Sequence, residues 1–194
     1  MKIVPKAAPM PRVAGALSAI LPSQSFAIRE AELTDRPALA TLAAAAFAQG
    51  VAVLLPPDLR VRANVARFSC LFGATPGPLL LAEADGVPVG CAMASLPTES
   101  DPPARLLGLW VAPGAAGRGI GSALLAGMEE HLSGLGVQAL RVRVPSGQLR
   151  ALGLFRRRGY LFQDAGLRTE PVLEALLRHS VLSKRLAAPV TVAA

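Results

Sequence analysis

Between Leu109 and Leu125 an apolar run stops at Pro113, glycines follow at 114, 117, 119 and 121, and an apolar stripe of helical period begins at once. Such a stretch has few ways to fold. The apolar run reads as a buried strand that Pro113 ends. Glycines admit positive φ and let the backbone come close to a ligand. The first N–H groups of the helix have no acceptor inside it and sit at the positive end of its dipole. Strand, glycine turn and helix start together make an anion site suited to phosphate or pyrophosphate.

Two common phosphate loops do not fit. The dinucleotide fingerprint needs an acid about 20 residues past its glycines, at the end of the next strand. Here that strand is Ala139 to Val144, which carries Arg141 and Arg143 and no acid. The nucleoside-triphosphate loop needs Gly-Lys followed by Ser or Thr, and this loop contains no lysine.

The remaining segments alternate in type. Phe26 to Ala31 reads as a strand, and Thr34 as a helix N-cap with Pro37 in the first turn. Leu39, Leu42, Ala43, Ala46 and Phe47 give a helical stripe ending near Gly50. Pro56-Pro57-Asp58 opens a second helix over 58–72, with Leu59, Val61, Val65, Phe68 and Leu71 inward. Asp85-Gly86 marks a two-residue hairpin between strands 79–84 and 87–96. The strand over 105–111 holds Gly108, where a strand glycine signals a bulge or a close approach. Helices follow over 119–132 and 147–158, with strands over 139–144, 160–164 and 175–186. Residues 165–175 follow no single period, and 174–178 fit helix and strand alike. The order predicts a mixed α/β sheet around one core.

Composition narrows the partners. A formal charge of +7 invites a nucleic-acid reading, but seventeen of the twenty basic residues are Arg scattered along the chain. Aromatics are only 4%, too few for base stacking, so nucleic acid is discounted. Arg156-Arg157-Arg158, at a helix end, complements the dipole there. Cys70 and Cys91 lie in apolar stretches and read as small buried hydrophobes in a reducing compartment. No run approaches 18 clean apolar residues, so no membrane span is expected. Residues 1–24, with prolines at 5, 9, 11 and 22, read as a flexible Pro/Ala-rich tail on a cytoplasmic protein. Residues 25–187 form the expected domain and 188–194 a C-terminal tail.

The glycine block resembles the central motif of the GNAT superfamily, the acyl-CoA-dependent N-acyltransferases. Its pattern of Arg or Gln, two residues, Gly, one residue, Gly or Ala falls on Ala116, Gly119 and Gly121, after Val111-Ala112-Pro113. Downstream, Gln148, Ala151, Leu154-Phe155 and Gly159-Tyr160 keep the family's spacing. Upstream, Ile28-Arg29, Ala31, Asp35, Leu39, Leu42 and Phe47 resemble its first strand and helix. The likeness covers about residues 26 to 186. It implies a GNAT-like, mostly antiparallel sheet of six to seven strands, with about four helices on both faces.

The resemblance also implies acetyl-CoA as co-substrate, no metal, and acetyl transfer to a primary amine by direct attack. The backbone of Leu109, Trp110 and Val111 would pair with the pantetheine arm, with Gly108 hosting a bulge. Amides of Ala116, Gly117, Arg118, Gly119, Ile120, Gly121 and Ser122 would hold the pyrophosphate. Gln148 would reach the cofactor arm, and an N–H near Val111 would stabilise the oxyanion. Neither membrane nor nucleic acid is an implied partner, and a homodimer is compatible with it.

Three positions depart from the family pattern. Ala116 lacks the side chain of the usual Arg or Gln. Phe155 replaces the Tyr that often protonates the departing thiolate, and Phe has no proton to give. Leu107 stands where many relatives carry a general-base Glu. No catalytic side chain is therefore assigned. An acyl-CoA-binding sensor or assembly module with little turnover is the rival reading. Tyr160 reads as a core aromatic, His131 as a helix-end residue, and His179 as the histidine with better access to a cleft. Glu99 and Asp101 sit in a loop that would face the acceptor or simply be solvated. Arg60, Arg62 and Arg67 would suit a carboxylate-bearing acceptor or simply a solvated helix face. The acids and two histidines show no metal-ligand spacing.

Overall fold

The structure, a computed structural model, describes residues 25–187 apart from 75, 100 and 101. The expected tails and Asp101 lie outside the described residues. Seven strands form one sheet: β1 (Ala27–Glu30), β2 (Leu79–Ala84), β3 (Val87–Ser95), β4 (Ala104–Val111), β5 (Ala139–Pro145), β6 (Leu161–Glu170) and β7 (Ala175–Arg185). Their order is β1-β2-β3-β4-β5-β7-β6. Every neighbouring pair is antiparallel except β4 with β5. The helices are α1 (Arg36–Gln49), α2 (Pro57–Arg60), α3 (Val65–Ala74), α4 (Ile120–Gly134) and α5 (Leu149–Arg157). The mixed, mostly antiparallel architecture agrees with the expectation.

Period-two alternation divides the core between the two faces of the sheet. Leu80, Ala82, Ala92 and Ala94 pack with Leu124, Leu125 and Met128 of α4. Their neighbours Leu79, Leu81, Cys91 and Met93 pack with Leu39, Ala43 and Phe47 of α1 and with Phe68 and Phe72 of α3. The stretch Leu33–Leu54 is long and apolar enough to cross a membrane by length and composition. Leu39, Ala40, Leu42, Ala43, Phe47 and Ala52 within it are nonetheless buried in this second core. Gly90 lets α4 settle close to the sheet: a Cβ there would lie 3.0 Å from both Ile120 and Leu124.

The Asp85-Gly86 hairpin forms as expected, with φ of 51° and 75°, the primed-turn geometry. Three local readings change. The first helix is entered through a 3-10 turn, Leu33–Asp35. Asp35, rather than Thr34, secures it by accepting the Glu32 N–H at 2.8 Å. The single helix expected over 58–72 is two helices, because Asn64 starts a new one by accepting the Arg67 N–H at 3.1 Å. As a result Val61 and Val65 are exposed, and Phe72 joins Phe68 inside. The unassigned 165–175 stretch extends β6 to Glu170 and then turns, burying Val172 and Leu173 against the α1/α3 core.

Trp110 ties α3 to the middle of the sheet. Its ring meets Phe68 and Phe72 edge-on, with centroids 5.6 and 5.5 Å away. It also folds over Gly108, where a Cβ would stand 2.0 Å from the indole carbons. Gly108→Ala should therefore destabilise the protein by about 1–3 kcal/mol through overpacking, read as a lower urea midpoint with a shift in Trp110 fluorescence. Gly73→Ala, on an open helix face, should hold or gain stability; equal midpoints for the two variants would contradict this packing. The two thiols should also separate. Burial pushes Cys91 up to about 12, whereas Cys70, expected to be buried as well, lies on the exposed side of α3. Since only the thiolate reacts, a thiol reagent at pH 8 should label Cys70 alone until urea is added.

Candidate functional site

The cleft begins where two strands part. The parallel ladder between β4 and β5 pairs Ala104, Arg105 and Leu106 with Leu140, Arg141 and Val142 and goes no further. At the same point β4 carries a bulge: Met93 faces Gly108 and Ala94 faces Leu106, so Leu107 is the extra residue. The expected irregularity is thus at Leu107-Gly108. A bulge sharpens twist and turns the strand away from its neighbour. Beyond it, Gly108 to Val111 keep β3 on one side and line the cleft on the other. The cleft that results has a volume of about 540 Å³ and an opening to solvent.

One end of the cleft is the glycine loop. After a 3-10 turn, Pro113–Ala115, the chain passes through Gly117 at φ 87° and Gly119 at φ 83° and enters α4 at Ile120. Residues 116–119 are exposed. Among the described residues, the backbone N–H groups of Gly117, Gly119, Ile120, Gly121 and Ser122 have no backbone acceptor. All five residues line the cleft. This is a row of donors at the positive end of a 15-residue helix, open to an anion. Leu109, Trp110, Val111, Ala116 and Gln148 line the same cleft. Arg118 is exposed beside the loop and does not line it.

Helix α5 flanks the loop and brings a charge the sequence reading missed. Arg150 lies with a guanidinium nitrogen 3.7 Å from where a Cβ of Gly117 would be. Arg150 and Arg157 both line the cleft and are exposed. Phe155 lines it too, packed edge-on against Tyr160 at 5.2 Å. The cleft also carries Phe47, Val51, Phe68 and Val172, with Arg143 on β5 and the Gln148 amide 3.6 Å from where a Cβ of Gly50 would be. Glu170 is the single acid among the described residues that line it. It is held by His179, whose Nε2 lies 3.2 Å from Glu170 Oε2.

The remaining candidates stand elsewhere. His179 is buried and reaches the cleft only through Glu170. His131 pairs with Glu30 at 3.1 Å near the end of α4. Tyr160 is buried in the core; burial, then the Glu129 carboxylate beside it, pushes its phenol above its ordinary range. Glu99 is exposed and away from the cleft. Arg60 and Arg62 donate to the carbonyls of Leu55 and Leu173, and Arg67 pairs with Glu174. None of the three lines the cleft; they pin the surrounding turns. No group of three metal-binding side chains occurs among the described residues.

The sequence matches the model of the acetyltransferase (GNAT) family over residues 39–160. None of the curated proteins matches it. The fold is similar to a GCN5-related N-acetyltransferase from Rhodopseudomonas palustris (22% identity, TM-score 0.66, covering 82% of this chain and 95% of that one). It is also similar to the PaiA N-acetyltransferase from Thermoplasma acidophilum in complex with coenzyme A (17%, TM-score 0.65, 83% and 99%). A third is the ribosomal-protein-alanine N-acetyltransferase from Brucella melitensis (25%, TM-score 0.62, 82% and 99%).

The two loop glycines differ in what they require. Gly119→Ala forces a side chain into left-handed backbone and should cost about 1–2 kcal/mol of stability. Gly121 is already helical, and a Cβ there meets only ordinary contacts at 3.6 to 3.9 Å. Gly121→Ala should be neutral or stabilising by about 0.5–1 kcal/mol. Urea denaturation of both variants checks this, and equal losses would contradict the loop conformation.

Proposed function

Because the chain belongs to the acetyltransferase (GNAT) family, we propose that it transfers acetyl from acetyl-CoA to a primary amine by direct attack. The observation that carries this reading is the pairing of two features in one cleft. A strand edge without a ladder partner runs beside β5, and a row of unpaired N–H groups follows it at the start of α4. The open edge of Leu109 to Val111 fits a linear amide-bearing arm, which would bond as an added strand does. The amides of Gly117, Gly119, Ile120, Gly121 and Ser122 fit the pyrophosphate, whereas that of Ala116 is turned to the Pro113 carbonyl at 3.4 Å. Arg150 supplies, from α5, the positive charge that Ala116 lacks in the loop itself. Gln148, at the start of α5, faces the same arm.

Holding the amine against the thioester provides the larger part of the acceleration. Backbone N–H groups near Val111 would stabilise the oxyanion. Phe155 cannot protonate the leaving sulfur. A thiol ionises near a pKa of about 8.5, so the thiolate departs without an acid, at a cost bounded by about 10²–10⁴ for one missing catalytic group. Phe155 and Leu107 are also the observations favouring the second reading, an acyl-CoA-binding module with little turnover. Thiol release from acetyl-CoA against an amine panel separates the two.

Calorimetry with acetyl-CoA is the first test. Binding tighter than millimolar is expected, and weaker than that at low salt both readings fall. Arg150→Ala should weaken binding by about tenfold, the loss of one charge-assisted contact, and should flatten its salt dependence. Phe155→Tyr should leave affinity within about twofold, since it removes no contact to the phosphates.

A further inference from the structure

Glu170 closes β6 at the wall of the cleft, and a buried imidazole stands against its carboxylate. Nδ1 of His179 lies 3.0 Å from the Leu177 carbonyl and Nε2 lies 3.2 Å from Glu170 Oε2. A carbonyl only accepts, so Nδ1 donates to Leu177, which turns Nε2 toward Oε2. His179 is 2% exposed and bonded at both ring nitrogens, which fixes its orientation. Oε2 is thereby committed. Oε1 has no partner among the described residues, and the carboxylate retains some access to solvent. The cleft it lines is otherwise largely apolar, with Phe47, Val51, Trp110 and Val172; Arg143 and the Gln148 amide are polar groups on the same lining, and Glu170 is its single acid among the described residues. A single carboxylate oxygen in such surroundings selects a cation with N–H donors. The glycine loop of the same cleft selects the opposite charge.

Resting on the acetyl-transfer reading, we propose that Glu170 receives the ammonium group of the acceptor and takes its proton. His179 is its positioning residue, and the acceptor is a primary amine on an apolar substituent. Oε1 accepts a hydrogen bond from the ammonium and then one of its protons. The freed nitrogen lone pair forms the C–N bond at the thioester carbonyl. As the C–S bond breaks, its electron pair leaves on sulfur, which takes the second nitrogen proton. Glu170 returns its proton to water. No hydroxyl at 155 and no acid at 107 is needed.

The test uses the full chain saturated with CoA, with saturation checked by calorimetry. It is titrated with benzylammonium chloride and with benzyl alcohol while the Glu170 carboxyl carbon is followed by 13C NMR. Benzylammonium should move that resonance and bind at least about tenfold more tightly than the alcohol. Glu170→Gln should bring the two probes to parity without changing CoA affinity. His179→Gln, whose amide still reaches Oε2, should keep the preference; His179→Asn, which is too short, should lose it. Equal binding of the probes by the native protein, binding of neither, or a preference that survives Glu170→Gln overturns the proposal. A preference unchanged in His179→Asn ends the role of His179. If the native protein fails to bind CoA, the acetyl-transfer reading falls instead, and the ammonium preference is read without it.

Discussion

The early end of the β4–β5 ladder is the constraint on which the rest of this structure depends. Two parallel strands that stayed paired would seal the middle of the sheet. Instead pairing stops at Leu106 and Val142, where Leu107 is inserted as a bulge opposite β3. β4 loses one partner but keeps the other, so its backbone stays extended while its polar groups face a cleft. β5 stays anchored on its far side by a ladder with β7 that runs to Pro145 and His179. The opening is thus framed by two rigid strands, which favours placement to within the tolerance that acyl transfer demands.

Packing around Trp110 supports that opening from one face. Gly108 leaves room for the indole, and the indole holds Phe68 and Phe72 of α3. The same core captures Val172 and Leu173, each worth roughly 1.5–3 kcal/mol when fully buried. Their burial draws the β6–β7 turn inward, which carries Glu170 to the cleft wall. The arginines of the α2–α3 region then serve as ties: Arg62 bonds the Leu173 carbonyl and Arg67 the neighbouring Glu174. Two chemically opposite groupings follow from this arrangement. Backbone donors and Arg150 gather at the loop, and Glu170 is the single acid, among the described residues, on a lining that also holds Phe47, Val51 and Val172.

Much of this was legible in the chain because it is local. The glycine loop, the Asp85-Gly86 hairpin and the stripes of α1 and α4 each depend on φ preferences or periodicity within a few residues. The Gly108 irregularity was legible for the same reason. Asn64 was a readable cap that the continuous apolar pattern around it concealed. Residues 165–175 resisted because Val172 and Leu173 are buried by a distant helix, which no local period announces. Arg150 and Glu170 were missed for a related reason. Charged residues at helix starts and strand ends are common, and only tertiary placement distinguishes these two.

What the sequence by itself determined was the sheet-and-helix order, apart from the break at Asn64, and the glycine loop that opens α4. Those are properties of short segments, where steric limits on the backbone and the spacing of apolar side chains leave one answer. The tertiary structure alone decided where the strands part, which arginine stands over Gly117 and which carboxylate meets the cleft. Each of those is a juxtaposition of residues tens of positions apart. It is set by how two cores pack on opposite faces of one twisted sheet, a balance that no single segment contains.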